Sequence, residues 1–424
     1  MNYFKLFIGF LFCIQLMSCS EYDEITETFI TERSLRNYTE AYKIAEEAAE
    51  IFETRSVIQR TIDINNVQYI IDDSSISRTS GYADTLMYVF NYENEAGFAV
   101  ISANKATEGL ILVTEKGNYS LEEDTENEGF DLYMELANAY VKNAKAKTNS
   151  LDDPSIQQDY KIVTTRETLE NYGPFVPVRW GQEYPYNLYC FDNGNNQALA
   201  GCVATAIAQI MSYYQHPSSI EISYEGSLYT QSLNWNGINS HVVTPSICDE
   251  CSNYHDQIGK IFREIGMLVN MTYGVNGSSA YTQNAANVFD KFGYSYDAFQ
   301  DYNSSIVTNS LKLGNIVLMK GRRVLEGGGS SGHAWVIDGY KYQKINETEY
   351  TKPIDSDIWM ERETHTHYAT YNHINWGWNG YNNGYFLNTT FNTGEYLELD
   401  FEYLGASQRN YSYDFKMFSN IRKK

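Results

Sequence analysis

A chain of 424 residues is long enough for two or three domains with cores of their own, and 43% hydrophobic residues, including 37 Tyr and 20 Phe, exclude global disorder. Thirty-one Lys and Arg against 54 Asp and Glu leave a net charge of −23. That balance repels phosphate backbones and anionic lipid and argues against nucleic acid as a partner.

Lys5 precedes an apolar run from Leu6 to Met17, the length of an export-signal core and too short to span a bilayer. The run ends in Leu16-Met17-Ser18-Cys19, which resembles a bacterial lipobox, where cleavage before Cys19 leaves that thiol to carry lipid. Residues 1–18 are therefore expected to be a lipoprotein signal peptide, with a plain secretory signal as the alternative. The expected location is the outer membrane or cell surface, or the medium after processing. No later stretch is apolar enough to cross a membrane, so lipid on Cys19 would be the membrane contact.

The spacing of Ala41, Ile44, Ala45, Ala48, Ile51 and Phe52 predicts a helix over 34–52 with Ser34 as N-cap. Strands are predicted at 67–71, 86–91, 97–102 and 110–113, then a helix over 130–147. Helix, antiparallel sheet and helix make a small α+β unit. From Ala146 to Gln158 periodicity gives way to Lys, Thr, Asn, Ser, Asp and Pro, the composition of an exposed linker. Helices at 202–215, 256–270 and 282–292 follow and give way to strands, a second α+β arrangement.

Removal of Cys13 with the leader and lipidation of Cys19 leave Cys190, Cys202, Cys248 and Cys251. A structural zinc site needs two ligands beyond Cys248 and Cys251, so a local disulfide or two free thiols is expected there. Gly201-Cys202-Val203-Ala204-Thr205-Ala206 opens a helix that stops before Pro217, placing Cys202 in the first turn. Free backbone N–H groups and the macrodipole favour a thiolate at such a place. A base is needed as well, and His333 lies where the run Gly327-Gly328-Gly329-Ser330-Ser331-Gly332 enters an apolar strand. It follows Cys202 by 131 residues, within the range of about 130–150 for a catalytic Cys and His of the papain kind. In His373-Ile374-Asn375-Trp376-Gly377-Trp378, Asn375 is suited to fix the imidazole tautomer and Trp376 to shield that bond from water. Upstream, Gln182 in Trp180-Gly181-Gln182 offers an amide that, with the Cys202 N–H, would stabilise an oxyanion.

Trp-Gly-Gln, Pro185-Tyr186-Asn187, Gly-Cys-Val-Ala-Thr-Ala, Gly-His-Ala-Trp-Val-Ile-Asp-Gly and Asn-Trp-Gly-Trp-Asn-Gly, in that order, resemble the streptopain family of papain-like cysteine peptidases. Gly97-Phe98-Ala99-Val100-Ile101-Ser102-Ala103 is similar to that family's inhibitory prodomain. The resemblance implies an α+β fold: a papain-like two-lobed catalytic domain, one lobe helical and one antiparallel β, at residues 172–424. A small α+β prodomain at 19–145 and a processed linker at 146–171 precede it. It implies a secreted zymogen that cleaves polypeptides, with its own prodomain as intramolecular inhibitor, Cys202 as nucleophile, His333 as general base and acid, and no metal or organic cofactor. Gln182, Asn375 and Trp376 follow by analogy with papain-like sites. Ser279 stands next to Ala280 where relatives have an intervening Gly, which touches the shape of a substrate loop.

Three rival readings rest on the same residues. The papain-like shell would serve a non-catalytic surface protein that binds polypeptide or glycan through its Tyr and Trp. The same dyad would serve acyl transfer to an amine. Glu363, His365, His367 and His373 would gather around a metal, since His-x-His on a strand directs both rings to one face.

Overall fold

The computed structural model describes residues 35–52, 60–72, 85–123, 125–148, 159–224, 227–240, 249–324, 330–353, 356–393 and 413–424. The export signal, Cys13, Cys19, residues 149–158 of the expected linker, Cys248 and the side chain of Cys251 lie outside the described residues.

The N-terminal unit starts with helix α1, Tyr38–Ile51. Its N-cap is Asn37 and not Ser34, because Asn37 and Glu40 form a reciprocal capping box: Asn37 Oδ1 accepts from the Glu40 N–H and the Glu40 carboxylate accepts from the Asn37 N–H. At the other end the buried Arg60 guanidinium donates to the carbonyls of Ala49 and Phe52, which the helix leaves without partners. Strands β1 (Ile62–Ile71), β2 (Thr85–Tyr92), β3 (Phe98–Ser102) and β4 (Leu110–Thr114) form an antiparallel meander. Gly97 closes the β2–β3 turn at φ 93°, and a Cβ there would lie 2.3 Å from the Thr114 carbonyl oxygen. Helix α2, Glu128–Thr148, packs Phe130, Tyr133, Leu136 and Ala137 inward.

The C-terminal unit begins with β5, Asp159–Tyr172, so the latter part of the expected linker is a strand. Helix α3 (Cys202–Tyr214) is followed by the hairpin β6 (Ser219–Tyr224) and β7 (Ser227–Ser232), and then by helices α4 (Trp235–Ser240), α5 (Asp249–Leu268) and α6 (Ala285–Lys291). The short strands β8 (Tyr294–Ser295) and β9 (Gln300–Asp301) lead to helix α7, Ser304–Lys312, which was not anticipated and is capped by Asn303. Strands β10 (Ile316–Val324), β11 (Ser330–Lys352), β12 (Met360–Asn375), β13 (Gly384–Leu387) and β14 (Lys416–Lys423) build the β lobe. The near half of β11 pairs with β10 and its far half with β5, while β12 pairs with it from Val336 to Thr351.

Two expected units share one sheet. Strand β4 of the N-terminal unit pairs with β13 through Gly384–Thr114, Tyr385–Val113 and Phe386–Leu112, giving a twelve-stranded antiparallel sheet among the described residues. Strand alternation divides its side chains between two cores. Val317, Met319, Trp335 and Ile337 join the core that holds α1, α2 and β2–β4, whereas Ile316, Leu318, Ala334 and Val336 join the core around α3 and α5.

Candidate active site

Helix α3 is buried on every side from Val203 to Ser212, which fixes it as the central helix of its lobe and holds its first residue, Cys202, in place. Its N-cap, Gly201, has φ 90°, and a Cβ there would lie 2.7 Å from Met271 Cε, so only glycine brings the chain into the helix by this path. No side chain caps the helix, leaving N–H groups free at the sulfur.

His333 stands on β11 opposite Gly321 of β10, 5% exposed. It shares the sheet face of Trp335, with the rings of Trp335, Trp376 and Trp378 each about 6.4 Å away or slightly less. Its Nε2–H donates to the Trp376 carbonyl at 2.7 Å, which leaves Nδ1 as the basic nitrogen. Burial lowers the imidazole's pKa, with the Trp376 carbonyl and Glu128 acting against it. The Cys202 thiol is pushed above its ordinary value by burial and by Glu128, while the N–H groups of Ala334, Val203 and Cys202 itself pull it back. Ala334 is the residue after His333, so α3 and β11 bring the two expected catalytic residues into one locality. Cys202 is free of any disulfide.

The other expected residues are also nearby. The Gln182 carbonyl accepts from the Ala200 N–H at 2.9 Å, and Thr205 Oγ1 donates to the Gly181 carbonyl, tying Trp180–Gln182 to the first turn of α3. Trp376 is fully buried beside His333. Asn375 does not touch the imidazole here: its Nδ2 donates to the Val178 carbonyl at 3.0 Å and its Oδ1 accepts from the Gly377 N–H at 3.2 Å. It pairs with Val336, which faces the α3 core, whereas His333 lies on the opposite face. The contact that fixes the tautomer comes instead from the backbone of the next residue, Trp376.

The N-terminal unit covers this locality. A Cβ on Gly129, in the first turn of α2, would lie 2.6 Å from His333 Cδ2 and 2.8 Å from Trp376 Cε3. Phe130 and Tyr133 meet Phe386, and Tyr133 meets Phe391. Two ion clusters reinforce the junction. Glu108 pairs with Arg166 of β5 at 2.7 Å and His367 of β12 at 2.9 Å. Glu115 pairs with Arg179 and with His373, whose other nitrogen meets Asp338 at 2.6 Å. These carboxylates divide the histidines that a metal would have gathered, and among the described residues no three His, Cys, Asp or Glu groups are placed to hold one. The acidic partners were missed because Glu108 and Glu115 are remote in sequence; the one available sign was an Asp and a His inside the two tryptophan-rich motifs.

The sequence model of the Peptidase C10 family matches residues 180–386, which hold Gln182, Cys202, His333, Asn375 and Trp376, and that of the Spi protease inhibitor matches residues 23–141. The chain belongs to the Peptidase C10 family. It is 24% identical over 339 residues to streptopain of Streptococcus pyogenes, covering 71% of this chain and 73% of the relative. It is 24% identical over 336 residues to the thiol protease/hemagglutinin PrtT of Porphyromonas gingivalis, covering 73% of this chain and 35% of that longer protein. In fold it is similar to Prevotella intermedia prointerpain A, at a TM-score of 0.52 and 20% identity over 85% of this chain and 99% of that one. The expected α+β, papain-like architecture with a small preceding prodomain is the one observed, and this C10 chain is a cysteine-type peptidase whose N-terminal unit is an inhibitor-type prodomain.

Proposed function

We propose that the protein is an exported cysteine endopeptidase made as a zymogen, with Cys202 and His333 as its dyad. The observation that carries this reading is Cys202 at the uncapped start of a buried helix, its sulfur beside the N–H of the residue that follows His333, under the first turn of α2. His333 Nδ1 takes the thiol proton, and the thiolate adds to the scissile carbonyl carbon while the C=O electron pair moves onto oxygen. The Cys202 N–H and the Gln182 side chain serve that oxyanion. The imidazolium then protonates the leaving nitrogen, the C–N bond breaks and a thioester remains. Water, deprotonated by His333, adds to the thioester; the thiolate leaves and the acid product departs.

In the latent state the prodomain, residues 19–145, occupies the site and polypeptide substrates are excluded. Because β5 belongs to the sheet of the catalytic domain, processing within 146–158 leaves that sheet whole, whereas cleavage nearer residue 171 would strip a strand from β11. Lipid on Cys19 would then tether the prodomain and not the mature enzyme, so processing would release the peptidase from the surface. The experiment is hydrolysis of a casein or fluorogenic peptide substrate after cleavage in the linker. Cys202→Ala and His333→Ala should each abolish turnover with the fold intact; turnover retained in either variant overturns the assignment.

A further inference from the structure

The Glu115 carboxylate, like that of Glu108, enters a site built by the catalytic domain, and its site lies next to the Trp180–Gln182 segment. Oε1 lies 3.2 Å from His373 Nε2 and Oε2 lies 2.5 Å from an Arg179 guanidinium nitrogen. His373 and Glu115 are each 5% exposed and Asp338 only 1%. Asp338 Oδ1 accepts from His373 Nδ1, and Asp338 Oδ2 accepts from the Val176 N–H at 2.8 Å, so the ring is aimed with Nε2 toward the carboxylate. Arg179 leads directly into Trp180-Gly181-Gln182.

The charges add up in the zymogen and not without the prodomain. Arg179 and the imidazolium of His373 carry two positive charges against Glu115 and Asp338. Burial works against the charged ring, yet Asp338 and Glu115 raise His373 to about 9. Of the other charges nearby, Arg60 and Lys116 belong to the prodomain and depart with Glu115. What stays is the half-buried Arg179 beside His373, two cationic groups facing the single carboxylate of Asp338, a site left with an unmatched positive charge. The backbone beside it is opened in the same event. The Glu115 N–H donates to the Asn383 carbonyl at 2.7 Å, the Asn382 N–H donates to the Lys116 carbonyl at 3.2 Å, and β4 pairs along β13. Gly384 permits this approach, since a Cβ there would lie 2.1 Å from the Val113 carbonyl oxygen. Loss of β4 leaves β13 as a free edge, which takes an added strand.

We propose that Arg179 and His373 form a carboxylate-binding site of the catalytic domain, filled by Glu115 in the zymogen and, once the prodomain has left, by an Asp or Glu side chain on an extended polypeptide laid along β13. The proposal rests on the zymogen reading for its second occupant only.

Its first test uses the intact chain and needs no peptidase activity. Glu115→Ala empties the site without removing the strand. Acetate should then raise the melting temperature of Glu115→Ala saturably, by about 2–4 °C beyond sodium chloride of equal ionic strength, the shift that roughly 1 kcal/mol gives a domain of this size. Wild type and the double variant Glu115→Ala/Arg179→Leu should show no such difference. If Glu115→Ala does not fold unaided, refolding yield in acetate against chloride reads the same site. Equal effects of acetate and chloride overturn the site. The second test adds a labelled peptide of residues 109–119 to linker-cleaved, prodomain-depleted protein: binding should weaken about tenfold when its Glu115 is replaced by Gln. Equal binding of the two peptides overturns the second occupant while leaving both the acetate result and the peptidase reading standing.

Discussion

Gly129 of the prodomain lies directly over the imidazole of His333, so close that its missing side chain is part of the fit: a Cβ would meet His333 Cδ2 at 2.6 Å. The first turn of α2 thereby fills the space beside His333, which in the proposed mechanism a substrate backbone would need. Glu128, one residue earlier, adds a charge that raises the Cys202 thiol's pKa.

Gly129→Leu should loosen the prodomain. Overpacking costs about 1–3 kcal/mol, equivalent to roughly 5- to 150-fold in the ratio of covered to uncovered states. Basal peptide hydrolysis by the uncleaved chain is expected to rise accordingly, and linker-cleaved enzyme should be unaffected. Unchanged basal activity in a folded Gly129→Leu protein would show that α2 does not govern access.

Acid should weaken the junction through Glu108. Burial raises this carboxyl's pKa, but Arg166 and His367 outweigh it and hold it at about 2 against an ordinary 4.5. A depressed carboxylate contributes stability that is complete above its ordinary value and is lost as pH falls from about 4.5 toward 2. The melting temperature of the zymogen should drop across that window. In Glu108→Gln the drop should be shallower, from a lower starting point, because Arg166 is left buried without its main partner. A wild-type curve flat between pH 5 and 2.5 is the contrary result.

Much of this was legible from residue patterns. The short apolar, β-branched and aromatic runs at Val67–Ile71, Leu86–Asn91, Gly97–Ser102 and Leu110–Val113 mark the four prodomain strands to within about five residues, and the helical spacing of 130–147 marks α2. Cys202 in a first turn follows from Gly201 and the apolar run after it. The joining of two units through β4 and β13 was not legible, because pairing of strands about 270 residues apart leaves no local trace. Nor was the extent of β11, β12 and β5: Lys341–Lys352 is polar on both faces, which reads as loop until three strands pair side by side. Asn375 illustrates a further limit. The residue type suggests a bond to histidine, but the register of β12 against β11 decides which face it occupies.

Asn375→Ala should destabilise the catalytic lobe. The change leaves the buried Val178 carbonyl and Gly377 N–H without their side-chain partners, at about 1–3 kcal/mol for each group. Chemical denaturation should show a lowered midpoint with an unchanged slope. A variant as stable as wild type would mean that solvent satisfies both groups.

Prodomain departure should uncover aromatic surface. Phe386 and Phe391 are buried in a core shared with Phe130 and Tyr133. Linker-cleaved, prodomain-depleted enzyme is expected to bind a hydrophobic fluorescent dye several-fold more than the zymogen, and added prodomain should reverse the gain. Equal dye binding would place the departing surface elsewhere.

The most direct test of Cys202 as a masked nucleophile is its rate of alkylation by iodoacetamide as a function of pH, read by mass at that residue, before and after prodomain removal. Burial and Glu128 raise the thiol's pKa while the prodomain is in place. The account predicts slow modification below about pH 8.5, the ordinary thiol value, in the zymogen, and fast modification with an apparent pKa near 7 or below in the freed enzyme. A profile that stays the same after prodomain removal would contradict it.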